Sequence, residues 1–288
     1  MGSTGTVSGD PRRLGPDGGV VTACYRYDGT LEGFLCALAL CLESGGGEAE
    51  FLRPGAESGA GLFAGVPRDV VTERETALRF RERFVTAVSR DAFATLRYAF
   101  HSEAAGVEEL LWRYVLAGLK QGKRLERMLA QEPVCTVNRL ARAVSHEAHR
   151  FTGFVRFREV AWPVGDSWGE GDGEKGTTFL YARIEPAVDI LAFIAPFFTE
   201  RLNDRDWMIH DLRRSQAAVF NRETWRLVRE VELTSPPGYT ADEEVCSRLW
   251  RSYFQRMAIP ERHNPRLQQQ LVPLRFRAHL VEFGGEES

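Results

Sequence analysis

The chain has 288 residues, of which 43% are hydrophobic and 27% charged, the proportions of an ordinary globular protein. Its formal net charge of −3 at pH 7 excludes a strongly basic nucleic-acid binder but allows a local basic face. The five cysteines form no C-x-x-C pair, which argues against a zinc knuckle or an iron–sulfur cluster, and no cofactor is predicted.

The N-terminal half is predicted to be rich in helices. Residues 1–19 are rich in Gly, Ser and Pro, lack the apolar core of a signal peptide and are predicted to be a disordered tail. A strand is predicted over 20–27 and a helix over 31–42, with Asp28 or Thr30 as its cap. A short strand over 49–52 is followed by predicted helices over 72–89, 90–100, 105–121, 123–130 and 136–149. The 72–75 segment, Thr-Glu-Arg-Glu, predicts a capping box.

The second half changes to the two-residue period of strands. Strands are predicted over 153–160, 178–184, 207–210 and 217–221, an acidic tip over 165–176, and helices over 189–202, 242–258, 266–271 and 274–282. This order predicts an α+β fold, in which a helix-rich N-terminal half packs on a small, mainly antiparallel sheet with C-terminal helices. We expect one domain over 20–283, with residues 131–135 as a candidate sub-boundary, and a tail over 284–288. The chain has no apolar run of roughly 20 residues, and we expect a cytoplasmic protein with no membrane partner.

Arginine is concentrated in two regions of the chain. Residues 139–158 contain five Arg and one acidic residue, and residues 248–279 contain seven Arg and one acidic residue. In the first region, Arg150 and Arg156 are interleaved with Phe151 and Phe154. Arg neutralises phosphate and aromatic rings stack on bases, so this pattern suits nucleic acid. A half-buried strand with solvated arginines is the alternative.

Two polar segments could hold a ligand. His146 and His149 have a spacing that suits a metal, but no carboxylate ligand accompanies them, so no metal site is predicted and His149 is expected at a helix end or on a phosphate. Residues 261–270 are dense in Asn and Gln, whose amides suit base edges. Asn264 has the simpler alternative of stabilising the turn before Pro265.

Two carboxylates are candidates for general acid/base catalysis. Glu185 follows a predicted strand, and Asp211 stands at the exit of another. In the structural alternatives, Glu185 only marks the end of its strand, and Asp211 forms an ion pair with Arg213. His210 and Asp211 are adjacent in a strand and must face opposite ways.

Five segments in the same order resemble the motifs of an uncharacterised bacterial family. They are residues 27–35 (YDGTLEGFL), 149–157 (HRFTGFVRF), 181–186 (YARIEP), 207–214 (WMIHDLRR) and 261–276 (ERHNPRLQ…PLRF). The family is described as DNA repair or DNA metabolism proteins. Its domain of unknown function also occurs fused to a uracil-DNA-glycosylase-like domain. The resemblance implies a radical-SAM partner, encoded beside these proteins. The glycosylase-like domain is absent here, and His210, Val272 and Arg277 depart from the motifs.

Three functions follow from these patterns. The first is binding of DNA or a nucleotide, alongside a radical-SAM protein, by the residues His149, Arg150, Phe151, Arg156, Arg213, Arg262, Asn264, Gln268 and Arg275. Within this set we expect Arg150, Arg156, Arg262 and Asn264 to share one groove. The alternatives are a nucleic-acid-modifying enzyme that uses Glu185 and Asp211, and a protein-interaction module that docks an acidic partner.

Overall fold

The computed structural model describes residues 23–56, 66–161, 178–231, 233, 238–259 and 264–283. The predicted α+β fold is confirmed, with C-terminal helices. The chain divides into two compact units, Met1–Val144 and Ser145–Ser288, and the division falls inside a helix. The single domain over 20–283 stays a prediction, and the predicted tails and the acidic tip lie outside the described residues.

The first unit is built around a three-stranded parallel sheet. Strand β1 (Ala23–Arg26) lies between β2 (Ala49–Leu52) and β3 (Arg68–Asp69). The described helices of this unit are α1 (Leu31–Glu43), α2 (Arg74–Ala87), α3 (Arg90–Phe100) and α4 (Val107–Gln121). A 3-10 helix over Gly122–Arg127 follows, in place of the helix predicted over 123–130. The core includes the fully buried side chains of Phe34, Leu38 and Leu111.

The loop between β1 and α1 is tied to the start of α2. Thr30 caps α1 by accepting the Gly33 N–H at 2.9 Å, as predicted. The predicted capping box at 72–75 is wrong, because the Thr72 hydroxyl donates to the Asp28 carboxylate at 2.9 Å and α2 begins without a side-chain cap. Asp28 also accepts the Thr30 N–H at 2.9 Å.

The second unit contains a six-stranded sheet in the order β8-β7-β6-β5-β4-β9. Its elements, with helix α5 that enters it, are α5 (Val134–Phe154), β4 (Arg158–Ala161), β5 (Thr178–Ile184), α6 (Leu191–Arg201), β6 (Trp207–Asp211), β7 (Gln216–Phe220), β8 (Trp225–Arg229), β9 (Gly238–Tyr239), α7 (Ala241–Met257), α8 (Pro265–Leu271) and α9 (Leu274–Arg277). Only β5 and β6 pair in parallel among these strands, so the sheet is mainly antiparallel, as predicted.

The predicted strand over 153–160 is wrong in its first half. Helix α5 continues to Phe154, and β4 begins only at Arg158. Phe151 and Phe154 are three residues apart and therefore share one face of the helix, where both rings pack on Phe276 with centroids 4.9 and 4.8 Å away. The helix is thus extended by a packing partner more than a hundred residues later in the chain.

None of the helices in the described ranges is long and apolar enough to cross a membrane.

The tight contact of Gly33 with Asp28 can be tested by substitution. A Cβ at position 33 would lie 2.2 Å from Asp28 Oδ1 and 2.8 Å from Thr72 Oγ1, whereas a Cβ at Gly153 on α5 would have no neighbour within 4 Å. We expect Gly33→Ala to destabilise the protein by about 2 kcal/mol through overpacking. Gly153→Ala should stabilise it by about 0.5 kcal/mol through helix propensity. Urea denaturation measures both, and equal effects of the two substitutions would contradict the packing argument.

Candidate anion-binding site

A cationic pocket of about 140 Å³ lies against the six-stranded sheet. The pocket is defined by the side chains of Arg156, Arg158, Tyr181, Arg183, Tyr239 and Arg251 together with residues 278–281. Four arginines around so small a volume create a strong local attraction for anions.

The pairing of the strands brings several of these side chains to one face. Arg158 on β4 lies opposite Tyr181 on β5, and Arg183 follows Tyr181 by two residues. Tyr239 on β9 lies opposite Val160, which follows Arg158 by two residues. Because side chains two apart in a strand, and those directly opposite on a neighbouring strand, share a face, all these residues line the same side of the sheet.

A buried carboxylate, that of Glu243 on α7, faces two of the arginines. Its Oε1 atom lies 3.9 Å from Arg156 Nη2 and 3.6 Å from Arg158 Nε. It also accepts the hydroxyl of Ser247 at 2.8 Å, and Oε2 accepts the backbone N–H of Glu159 at 3.3 Å. Glu243 therefore holds these two arginines in place.

The orientation of Arg158 is also set by an aromatic ring. Its guanidinium carbon lies 3.2 Å from the ring centroid of Tyr239, a stacked cation–π contact. The N–H groups of a guanidinium lie in its plane, so stacking on a ring leaves them free of the ring. Their planar arrangement matches the spacing of carboxylate and phosphate oxygens. This contact limits the orientations that the Arg158 guanidinium can adopt at the pocket.

His279 and Glu185 form a second contact at the pocket. His279 Nε2 lies 3.3 Å from Glu185 Oε1, and the Glu185 side chain is about half exposed. Burial lowers the pKa of His279, and the neighbouring Glu185 carboxylate only partly opposes this effect. His279 is therefore largely neutral at pH 7, and the arginines supply the positive charge.

A buried tyrosine–histidine pair supports the pocket wall. The Tyr181 hydroxyl lies 2.9 Å from His210 Nδ1. Burial lowers the pKa of His210 and raises the pKa of Tyr181 to about 12, so both groups are neutral at pH 7. His210 faces Tyr181 while Asp211 faces Arg214, which confirms that adjacent residues of this strand point to opposite sides.

Asp211 is a structural clamp in this unit. It is fully buried and pairs with Arg214, whose Nη1 lies 2.9 Å from Asp211 Oδ2. Arg214 Nη1 also donates to the Pro186 carbonyl at 3.2 Å. The predicted ion pair with Arg213 is wrong. The turn after β6 brings residue i+3 back to the carboxylate, and Arg213 supplies only its backbone N–H there, at 3.1 Å.

Glu147 fixes the same segment from a different element. This buried residue of α5 accepts the Ala187 N–H at 3.1 Å and Arg275 Nη2 at 2.5 Å. Arg213 Nη1 donates to the Ala187 carbonyl at 3.1 Å. Arg213 and Arg275, both predicted to bind nucleic acid, are thus engaged in holding the chain after β5.

Among the predicted nucleic-acid-binding residues that the structure describes, only Arg156 lines the pocket. His149 and Arg150 are exposed on α5, and Phe151 is buried. Asn264 caps α8 by accepting the Leu267 N–H at 3.1 Å, and Gln268 lies within that helix. Arg262 lies outside the described residues. Neither Arg150 nor Asn264 lines this pocket, and the shared groove of Arg150, Arg156, Arg262 and Asn264 stays a prediction.

The two candidate catalytic carboxylates are not brought to a common point. Glu185 lies with His279 on the side of the pocket, whereas Asp211 is opposite Ile184 in the sheet and is buried with Arg214. Two-carboxylate chemistry requires both groups at one reacting centre. Among the described residues, no group of three or more His, Cys, Asp and Glu side chains is placed to hold a metal.

Sequence reasoning missed most of the residues that line the pocket. Arg158 and Arg251 were counted in the arginine clusters, Tyr181 and Arg183 were named only as part of the 181–186 motif, and Tyr239 carried no prediction. The alternation of Tyr181, Arg183 and Glu185 was the available signal, because a strand with its other face apolar must present these three together.

The comparisons with known proteins place the chain in a family. The model of a domain of unknown function, DUF4130, matches residues 105–282. The chain belongs to this family. All the pocket residues named above lie within the DUF4130 match. No curated protein and no solved structure matches the chain.

The clamp within the DUF4130 region can be tested by removing one cation. Arg214→Met leaves Asp211 buried without its ion-pair partner, and we expect a loss of about 3 kcal/mol in the free energy of unfolding. Arg213→Met is the matched control. It removes a neighbouring, exposed arginine with one hydrogen bond to a carbonyl, so its cost should stay below about 1 kcal/mol. Urea denaturation compares the two, and equal losses would argue against the clamp.

The neutrality of His210 predicts a dependence of stability on pH. Burial lowers the pKa of His210 from its ordinary 6.5. Just below pH 6.5, His210 is therefore mostly protonated in the unfolded chain but remains mostly neutral in the folded protein. The free energy of unfolding should therefore decrease as the pH falls from about 7 to about 5.5. His210→Gln should make this decrease shallower, because it removes the titrating group and keeps an acceptor for Tyr181.

The control for this experiment is His146→Gln, which removes an exposed imidazole from α5. It should leave the pH dependence of urea denaturation as in the unsubstituted protein. A decrease in stability that is equally steep in both variants would show that His210 does not cause it.

Proposed function

We propose that this DUF4130 protein binds DNA or a nucleotide, as a DNA repair or DNA metabolism protein, and that a phosphate group occupies the cationic pocket. The observation that supports the proposal is the convergence of four arginines, Arg156, Arg158, Arg183 and Arg251, on one pocket of about 140 Å³. Charge-assisted hydrogen bonds from guanidinium groups to phosphate are among the strongest in proteins.

The overall acidity of the chain is compatible with this function. Neutralisation of a few phosphates needs a few well-placed cations rather than a basic protein, and a focused positive cleft raises the local concentration of an anionic ligand. The protein would then bind few phosphates at a time, with a modest dependence of affinity on salt.

The partner and the location form a second part of the proposal. The five motifs resemble a bacterial family of DNA repair or DNA metabolism proteins encoded beside a radical-SAM protein. We therefore propose that the protein acts in the cytoplasm with such an enzyme, and that it binds the nucleic acid while the partner performs the chemistry.

Docking of an acidic partner protein is the second candidate function. Helix α7 exposes Leu249, Tyr253 and Met257, each more than half accessible to solvent, and carries Arg248 and Arg256 on the same helix. Apolar side chains bordered by arginines suit a partner segment that combines apolar and acidic residues. Binding to such a protein without any affinity for DNA would favour this function over the first.

The proposed DNA binding can be tested by removing charge from the pocket. The double variant Arg156→Gln and Arg251→Gln changes one side chain that is about one third exposed and one exposed side chain, so folding should be retained. We expect its affinity for a short single-stranded oligonucleotide to fall about tenfold or more. The slope of log K against log salt should become less steep by about 1, as expected when the contact with the phosphate in the pocket is lost. Fluorescence anisotropy over a salt series measures both quantities.

The matched control removes two exposed arginines away from the pocket, Arg201 at the end of α6 and Arg226 on the edge strand β8. The variant Arg201→Gln with Arg226→Gln has the same net charge as the pocket variant, and its affinity should equal that of the unsubstituted protein. Equal losses in the two variants would attribute binding to net charge and would contradict a role for the pocket.

A further inference from the structure

We infer that one face of helix α5 binds the phosphate backbone of double-stranded DNA. This face, termed the α5 cationic face, carries the exposed side chains of Arg139, Arg142, His146, His149 and Arg150. These five residues are not among those that line the cationic pocket, so the face is a second surface for nucleic acid. The inference rests on the proposed function for the class of ligand, and it specifies the form of DNA that is bound.

The helical period brings the five side chains together. Successive members are three, four, three and one residues apart, so at 3.6 residues per turn all five lie within an arc of about 100°. From Arg139 to Arg150 they extend for about 16 Å along the helix axis. Val137, Val144 and Ala148 lie on the opposite side of α5 and are buried, so the five side chains face solvent. Because the array lies on one continuous helix, its spacing is set by the helix alone.

The α5 cationic face has no acidic side chain on it. Glu147 is the one acidic residue in the sequence of α5, and its buried side chain binds Arg275 and the Ala187 N–H. Within the described ranges, no hydrogen bond or ion pair engages the side chains of the three arginines of the face. Their charges are therefore available to a ligand, and a local excess of positive charge attracts anions.

The other exposed residues of α5 indicate which anionic ligand the face suits. They are Cys135, Ala143 and Gly153, so the exposed side of this helix has no large apolar side chain. A helix that binds a membrane surface needs large apolar side chains beside its cations, and protein interfaces are usually centred on aromatic or other large anchors. Contact with a nucleic-acid backbone needs cations alone. The composition therefore favours nucleic acid over a lipid surface or an acidic protein.

The position of the aromatic rings favours a duplex over a single strand. Phe151 and Phe154 are the only Phe, Tyr or Trp residues in the sequence of α5, and both rings pack on Phe276. Proteins that bind single strands usually stack the bases on exposed aromatic rings. A duplex instead presents a rigid array of phosphates, with one negative charge for about every 1.7 Å of its axis. A rigid row of exposed arginines matches such an array.

The surface of α5 also allows close approach of a duplex. Ala143 is small, and a Cβ added at Gly153 would have no neighbour within 4 Å, so this part of the helix surface is open. The major groove of DNA is about 12 Å wide and admits an α-helix. Long arginine side chains on a helix in the groove can reach the phosphates at its edges.

The test compares a duplex of about 20 base pairs, which is two helical turns, with its separated strands. The α5 variant, Arg139→Gln with Arg142→Gln and Arg150→Gln, removes three exposed cations. We expect its affinity for the duplex to fall about tenfold or more, and the slope of log K against log salt to become less steep by about 1 for each arginine. Its affinity for the separated strands should change much less. Fluorescence anisotropy over a salt series measures these quantities.

The matched control removes three exposed arginines from other elements. The variant Arg83→Gln with Arg201→Gln and Arg226→Gln changes α2, α6 and β8 and has the same net charge as the α5 variant. It should bind the duplex as tightly as the unsubstituted protein does. If the control loses as much affinity as the α5 variant, net charge rather than the α5 cationic face accounts for binding, and the inference fails.

A charge-preserving variant tests contact with the backbone itself. Arg139→Lys with Arg142→Lys and Arg150→Lys should retain most of the affinity for the duplex, because lysine also neutralises phosphate. An affinity as low as that of the Gln variant would show dependence on the guanidinium fork, as in contacts with base edges, and would contradict binding of the backbone. Circular dichroism of each variant confirms that a loss of affinity does not result from unfolding.

The results also separate this inference from the proposed function. If the pocket variant, Arg156→Gln with Arg251→Gln, loses affinity for DNA while the α5 variant keeps it, the inference fails and the proposed function stands. The opposite pattern would support the α5 cationic face and remove the pocket from DNA binding. No measurable affinity for any duplex, single strand or nucleotide would overturn both.

Two further probes represent other anionic partners, namely vesicles that contain phosphatidylserine and poly-glutamate. We expect both to bind more weakly than the duplex. Tighter binding of either one, lost in the α5 variant, would assign the face to a membrane or to an acidic protein and would overturn the assignment to DNA.

Discussion

The buried carboxylate of Glu243 is the contact on which the cationic pocket depends. Arg156 and Arg158 carry like charges that repel each other, and the carboxylate of Glu243, within 4 Å of both, offsets this repulsion. Glu243 is itself held by the Glu159 N–H and the Ser247 hydroxyl. Its place in the first turn of α7 adds the favourable field of the helix N-terminus. Glu243 thereby keeps in place two of the arginines that line the pocket.

Two other buried acids, Asp211 and Glu147, explain why so many polar residues surround the end of β5. Asp211 binds the chain through Arg214, which donates to the Pro186 carbonyl, and Glu147 binds the Ala187 N–H directly. These contacts satisfy backbone groups that the end of the strand would otherwise leave unpaired. A carboxylate engaged in an ion pair and hydrogen bonds is poorly suited to exchange protons with a substrate. The polar density that resembled a catalytic site in the sequence therefore fixes the strand that carries Tyr181 and Arg183.

The differences between prediction and structure arise where a local pattern had two solutions. The spacing of Phe151 and Phe154 is compatible with a helix, and the residues that follow alternate like a strand, so the end of α5 depended on whether a partner such as Phe276 was present. Asp211 had two arginines within reach, and the turn after β6 selected Arg214. Asn264, by contrast, needed no distant partner, and its role at the turn before Pro265 could be predicted from the residues beside it.

Most helices and strands, the α+β fold and the opposite orientations of His210 and Asp211 were determined by the sequence alone, because they follow from the periods of the helix and the strand. The same period places Tyr181 and Arg183 on one face. Only the tertiary structure decided which arginines converge, since Arg156, Arg183 and Arg251 come from separate elements whose meeting depends on strand pairing and on the packing of α7. Such contacts join residues that are far apart in the chain, so the local pattern of side chains does not predict them.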